Sequence, residues 1–162
     1  MREVALQDKP AGAQVPRDER PGERVDTAPA AAADELRLRR AIIARYRERL
    51  AGVPGLTLMP EPAGVESSCQ YFVVRIDGAT FGRTRDEVFD HLKTYNVLAR
   101  KYFYPLCTDY VCYRDLPSAR PGRLPVASEV VTQVLCLPLY GTLALADVDR
   151  ICDMVLEHQS HA

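Results

Sequence analysis

An excess of charge of either sign is the first thing this sequence does without: 21 Lys and Arg stand against 22 Asp and Glu, leaving a net charge of −1. A near-neutral chain has no global attraction for phosphate backbones or anionic lipid, which argues against a dedicated nucleic-acid or membrane-surface binder. Long apolar runs are missing too. The longest, such as Val134 to Tyr140, fall far short of the roughly 18 residues that read as a membrane-spanning helix. Met1 to Val15 alternates charges with small residues and contains no apolar stretch of the kind a secretion signal needs. The five cysteines form no C-x-x-C pair, and Cys107 and Cys112 have no histidine nearby. A zinc site is therefore not expected. Reduced cytosolic thiols, most of them filling a core as small hydrophobes, are the plain reading, and they point to a cytoplasmic protein.

Familiar catalytic signatures are absent as well. There is no G-x-G-x-x-G, P-loop or H-E-x-x-H pattern. His91, His158 and His161 stand beside no serine or cysteine in a nucleophile–base arrangement, and read better as satisfied or solvent-facing side chains. The carboxylate pairs Asp86/Glu87 and Asp147/Asp149 fall at expected helix starts, where they complement the helix macrodipole.

What is present fits one domain of 162 residues. Residues 1–33 contain Pro10, Pro16, Pro21 and Pro29 and few large apolar side chains, so they read as a disordered tail or linker. Asp34 can cap a helix in which Leu36, Ile42, Ile43, Tyr46 and Leu50 share a face; the arginines around them read as a solvated surface. Gly52 to Gly55 stops it. Short strands are expected at 56–59 and 69–76. Asp77-Gly78 turns the chain. Thr84-Arg85-Asp86-Glu87 is a capping box that starts a helix reaching about Tyr95. Asn96 ends that helix, residues 97–104 are extended, and 105–124 form a long connection of the kind that is functional or flexible. Pro125 opens a short helix, 135–139 is a buried strand, and Val148, Ile151, Cys152, Val155 and Leu156 mark the last helix. The order predicts an α+β fold: a small, mostly antiparallel sheet with helices packed on one face.

The segment Arg100-Lys101-Tyr102-Phe103-Tyr104-Pro105-Leu106 is the densest in chemistry. Arginine can clamp a diphosphate and tyrosine can hydrogen-bond a sugar or phosphate oxygen. A strand with inward aromatics and outward charges explains the same residues, and residue chemistry alone leans to that.

Taken together, RRAIIARYRERLAGVPGL at 39–56, TRDEVFDHL at 84–92, ARKYFYPL at 99–106, PVASEVVTQVLCLPLY at 125–140 and DVDRI at 147–151 resemble the carboxy-terminal small domain of the DegT/DnrJ/StrS-type sugar aminotransferases. The likeness runs over residues 34–158. These are fold-type I, pyridoxal-phosphate-dependent enzymes that aminate nucleotide-linked keto sugars. The YFYPL wording is most like members acting on dTDP-linked 3-keto-6-deoxyhexoses. The resemblance implies Arg100, Tyr102 and Tyr104 as substrate contacts, and no catalytic, cofactor or metal residue. The family's large domain, with its Schiff-base lysine, has no counterpart in this sequence. The lysines are Lys9, Lys93 and Lys101, none in a matching context. Cys107 stands where many members have histidine, and Ala144 replaces the usual capping serine or threonine. The expectation is a keto-deoxyhexose aminotransferase domain, part of a split or truncated enzyme, inactive alone and holding no pyridoxal phosphate by itself. Its partner would be a separate large domain or a homologous full-length enzyme, with a nucleotide sugar as ligand. The alternatives are a non-enzymatic module that binds a nucleotide sugar or a protein partner, and a degenerate remnant with no activity.

Overall fold

The computed structural model describes residues 28–61 and 63–157. Helix α1 runs from Ala28 to Leu50, starting at Ala28 rather than at Asp34. The alanine run has the highest helix propensity of any residue, and Pro29 falls in the first turn, where its missing N–H costs nothing. Asp34 therefore lies inside the helix, 3.7 Å from Arg37. Of the expected tail, residues 1–27 lie outside the described residues and 28–33 are helical.

Four strands follow: β1 (Leu56–Leu58), β2 (Phe72–Ile76), β3 (Arg100–Lys101) and β4 (Val134–Leu137). They form one sheet in the order β1-β2-β4-β3, and every neighbouring pair is antiparallel. Between them lie α2 (Gly78–Phe81), α3 (Arg85–Thr94), α4 (Pro125–Val130) and the closing α5 (Leu145–Leu156). The α+β architecture expected from the element order is the one observed. Two expected strands are shorter than their composition suggests. Cys69 has a left-handed backbone (φ 49), so β2 begins only at Phe72. Asn96 is left-handed too (φ 59), and the chain turns again after Lys101, with the Tyr104 N–H donating to the Lys101 carbonyl. The extended segment expected at 97–104 thus pairs over only two residues.

Alternation along β2 buries Phe72, Val74 and Ile76, and the register sets Leu137 opposite Phe72 and Leu135 opposite Val74 on the same face. The core forms where α1, α3 and α5 cover that face: Ile42, Tyr46 and Leu50, Val88 and Leu92, and Val148, Cys152 and Val155. Burial pushes the Cys152 thiol up to about 12 and the Cys136 thiol to about 11, so both behave as apolar filler. Cys69 is buried as well, while Cys107 and Cys112 are exposed; none of the five is paired.

The helix signals are realised in detail. Thr84 Oγ1 accepts from the Glu87 N–H while the Glu87 carboxylate accepts from the Thr84 N–H at 2.7 Å. Pro125 opens α4. Ala144 occupies the cap position of α5 in an extended conformation and offers no side-chain acceptor. Ala144→Ser should therefore stabilise the domain by about 1 kcal/mol, read as a higher Tm in thermal denaturation; an unchanged Tm would show that water already serves those N–H groups.

One reading of the charges changes. Asp149 lies beyond the first turn of α5, and its carboxylate is held by Arg45 (2.7 and 2.9 Å) and Arg49 (2.9 Å) from α1. The arginine-covered side of α1 is therefore partly an interhelix seam, not only a solvated surface. The Arg45 hydrogen bonds, with those of Arg49, hold the Asp149 carboxyl below its usual 3.8. A lowered folded value means this stabilisation is complete above the unfolded value and is lost as pH falls through the folded one. Wild-type Tm should fall below about pH 4. Asp149→Asn should start lower at neutral pH and fall less steeply; parallel curves would remove Asp149 from the acid response.

Candidate functional site

A cleft of about 670 Å³ opens beside the end of the sheet where β3 meets β4. That volume is in the range of small-ligand sites. Its floor includes Leu137, Leu139, Ile151 and Met154, and its walls carry Tyr71, Tyr95 and Tyr140 with Arg39, Arg100 and Arg150. The three cations are not equivalent. Arg39 donates to Glu35 at 2.7 Å and to the Cys69 carbonyl at 3.3 Å. Arg150 is 3.3 Å from Asp147. Arg100 is exposed and, among the described residues, its guanidinium makes neither a hydrogen bond nor an ion pair. Its position follows from the sheet register, which sets it opposite Cys136, itself opposite Val73, in one row on the face away from the helices.

The structure does not gather Arg100, Tyr102 and Tyr104 at one place. Arg100 lines the cleft and the two tyrosines do not. Tyr102 meets Tyr71 edge-on, with ring centroids 5.3 Å apart, so it reaches the cleft wall through one intervening ring. Tyr104 lies on the other side of the turn, its ring 5.3 Å from the Arg85 guanidinium carbon. The turn after Lys101 breaks the strand alternation that would have aligned them. His91 is engaged elsewhere, 2.6 Å from Glu157, while His158 and His161 lie outside the described residues. The sequence reading missed Tyr71, Tyr95 and Tyr140. They come from separate segments, Tyr71 before β2, Tyr95 after α3 and Tyr140 at the end of the 125–140 block, and only the fold brings them to one wall.

A second cleft of about 370 Å³ shares Tyr71 and lies over Ile43, Arg47 and Met59. No group of three or more His, Cys, Asp or Glu among the described residues could hold a metal ion. No helix among them is long and apolar enough to cross a membrane.

The profile of the DegT/DnrJ/EryC1/StrS aminotransferases matches residues 30–156. The chain belongs to that family. It is 41% identical over 118 residues to a dTDP-4-amino-4,6-dideoxy-D-glucose transaminase of Escherichia coli, a match covering 73% of this chain and 32% of that protein. Its fold superposes on the crystal structure of DesI in the presence of its TDP-sugar product, with a TM-score of 0.73 and 30% identity over 83% of this chain and 34% of that one. The aminotransferase TlmJ of Streptoalloteichus hindustanus gives 0.67 and 28%, over 81% of this chain and 33% of that one. The chain thus spans about a third of the length of these relatives.

Members of the family depend on pyridoxal phosphate, which needs a lysine amine free to capture its aldehyde. The described lysines do not fit. Lys101 Nζ is 2.6 Å from the Asp86 carboxylate and sits over the Phe89 ring, 4.8 Å from its centroid. Lys93 is exposed near the end of α3. Lys9 lies outside the described residues. Neither described amine faces the large cleft.

Proposed function

We propose that this chain is the small domain of an aminotransferase acting on a dTDP-linked keto-deoxyhexose. On this reading it contributes substrate contacts, and a separate large domain or a homologous full-length enzyme supplies the amine that captures the cofactor. The observation that carries the reading is the unpartnered Arg100 guanidinium at the tyrosine-walled cleft, in a chain 41% identical to a dTDP-sugar transaminase. A planar guanidinium matches a diphosphate oxygen pair, and tyrosine hydroxyls suit sugar or phosphate oxygens. Arg100 is the primary contact. Tyr102 acts next to it through Tyr71, and Tyr104 contacts substrate from beyond the turn. The relative's name sets the amino group at carbon 4, so the keto carbon assigned here is C4 rather than C3. Five unpaired cysteines support a cytoplasmic setting.

The direct test titrates a dTDP-4-keto-6-deoxyhexose into the isotope-labelled chain and follows Arg100, Tyr71 and Tyr102 by NMR. Saturable shifts are expected, and Arg100→Ala should weaken binding about tenfold or more, the usual loss of a hydrogen bond to a charged group. Equal affinity of the variant, or no shift at high ligand, would overturn the substrate role. The same titration bears on a purely binding module: saturable binding that leaves the turnover of an added full-length homologue unchanged would favour that reading.

A further inference from the structure

Arg85 is a buried charge that the proposed site does not use. Only 2% of its surface is exposed, and it is the sole charged or polar side chain buried in the described residues. Its Nε donates to Asp86 at 2.7 Å, and its Nη1 donates to the carbonyls of Val134 at 3.0 Å and Val131 at 3.2 Å. The Tyr104 ring packs against it, and Asp86 also takes the Lys101 ammonium at 2.6 Å. One guanidinium thus touches residue 104 at one end of a long connection and residues 131 and 134 at the other.

That connection has no core of its own. No residue from 102 to 126 is buried, and Phe103, Tyr104, Tyr110, Val111, Tyr113 and Val126 are all at least half exposed. Its internal hydrogen bonds are local: the Tyr113 and Arg114 N–H groups both donate to the Tyr110 carbonyl, and Leu116 donates to Tyr113. Such turns hold a shape only while the ends of the segment are held. Burying a charge merely for stability is a poor bargain, because an apolar side chain of similar volume often does as well. What an apolar side chain cannot do is donate to two carbonyls while presenting a flat face to an aromatic ring.

We propose that Arg85 is the positioning residue of the 102–131 arm, joining its two ends and thereby setting the orientation of Tyr104 beside the Arg100 strand. The purpose of that positioning rests on the substrate reading above; the joining itself does not.

Hydrogen exchange of the full chain, without ligand, tests it, so a failed sugar titration and a failure here are separate results. The readout compares the Tyr104, Asp109, Tyr113, Arg114 and Leu116 amides with the Leu56–Leu58 and Val73–Ile76 amides of the sheet. Arg85→Met is expected to speed exchange in the arm roughly tenfold relative to the sheet. Arg85→Lys, which keeps a donor for the carbonyls but loses the flat face, should fall between wild type and Arg85→Met. Tyr104 ring resonances should move in both variants. Equal acceleration of arm and sheet would reduce Arg85 to a general stabiliser and overturn the proposal, as would an arm unchanged in Arg85→Met. Should Arg85→Met fail to fold, the arm-to-sheet comparison in Arg85→Lys decides by the same criterion.

Discussion

Borohydride reduction of the purified chain with pyridoxal phosphate is expected to leave no stoichiometric pyridoxyl group on any single lysine. A lysine becomes a carbonyl trap when desolvation or a neighbouring cation suppresses its charge, and when its amine faces a pocket that seats the rest of the cofactor. Lys101 is already engaged: Asp86 accepts from its ammonium at 2.6 Å, and the ammonium lies over the Phe89 ring, 4.8 Å from its centroid, away from any pocket that could seat a cofactor. Lys93 stands in water on the outer side of α3. Exposed amines still react weakly with aldehydes, so the expected product is sparse and spread over the lysines, with no visible absorbance band that persists on dialysis. Peptide mapping after reduction checks this. A single, fully occupied adduct at Lys9, Lys93 or Lys101, with transamination by the chain unaided, would show that the amine is supplied from within these residues and would sink the small-domain reading. Supplying a cofactor-loaded full-length homologue is the complementary measurement: substrate contacts donated in trans should change its turnover, and Arg100→Ala should remove the change.

Replacing Tyr46 should cost more stability than any other single change considered for this chain. Its side chain is fully buried, it stacks on Phe72 with centroids 4.7 Å apart and planes within 16° of parallel, and its hydroxyl donates to the Pro138 carbonyl at 3.1 Å. One residue thus joins α1, β2 and the turn after β4. Tyr46→Ala removes a large aromatic from a site closed on all sides, a change worth about 3–5 kcal/mol. Against a total of roughly 5–15 kcal/mol that is enough to unfold a marginal domain. Tyr46→Phe keeps the stack and loses only the hydroxyl bond, at about 1 kcal/mol. Urea denaturation of the two variants separates the contributions. Equal losses would mean the hydroxyl bond, and not the packing, holds the turn. Burial pushes the phenol well above its ordinary value of 10, so the penalty should not vary between pH 6 and 9.

Helices and caps were legible because their signals are local. The Thr84–Glu87 capping box, Pro125 at the start of α4 and the apolar spacing of α5 depend on residues within one or two turns of each other, and each appears where expected. The start of α1 was misread because an aspartate that can cap need not do so when the alanines before it are better helix formers. Strand ends were less legible. Cys69 takes a left-handed backbone that nothing in its residue type announces, and Asn96 takes one that asparagine tolerates better than most residues. Arg85 left no signal at all: inside a capping box it reads as one more polar residue at a helix start, and its burial becomes visible only when Val131 and Val134 are brought to it.

Residue identity and near-neighbour periodicity were enough for the family and for the order of the elements apart from α2, the one-turn helix Gly78–Phe81, which read only as a turn. Packing alone settles that Asp149 bridges to α1, that Arg100 faces a cleft while Tyr104 faces Arg85, and that three tyrosines from distant segments share a wall. The reason is physical. These relations depend on strand register and on one turn after Lys101, where a shift of a single residue would send every following side chain to the opposite face.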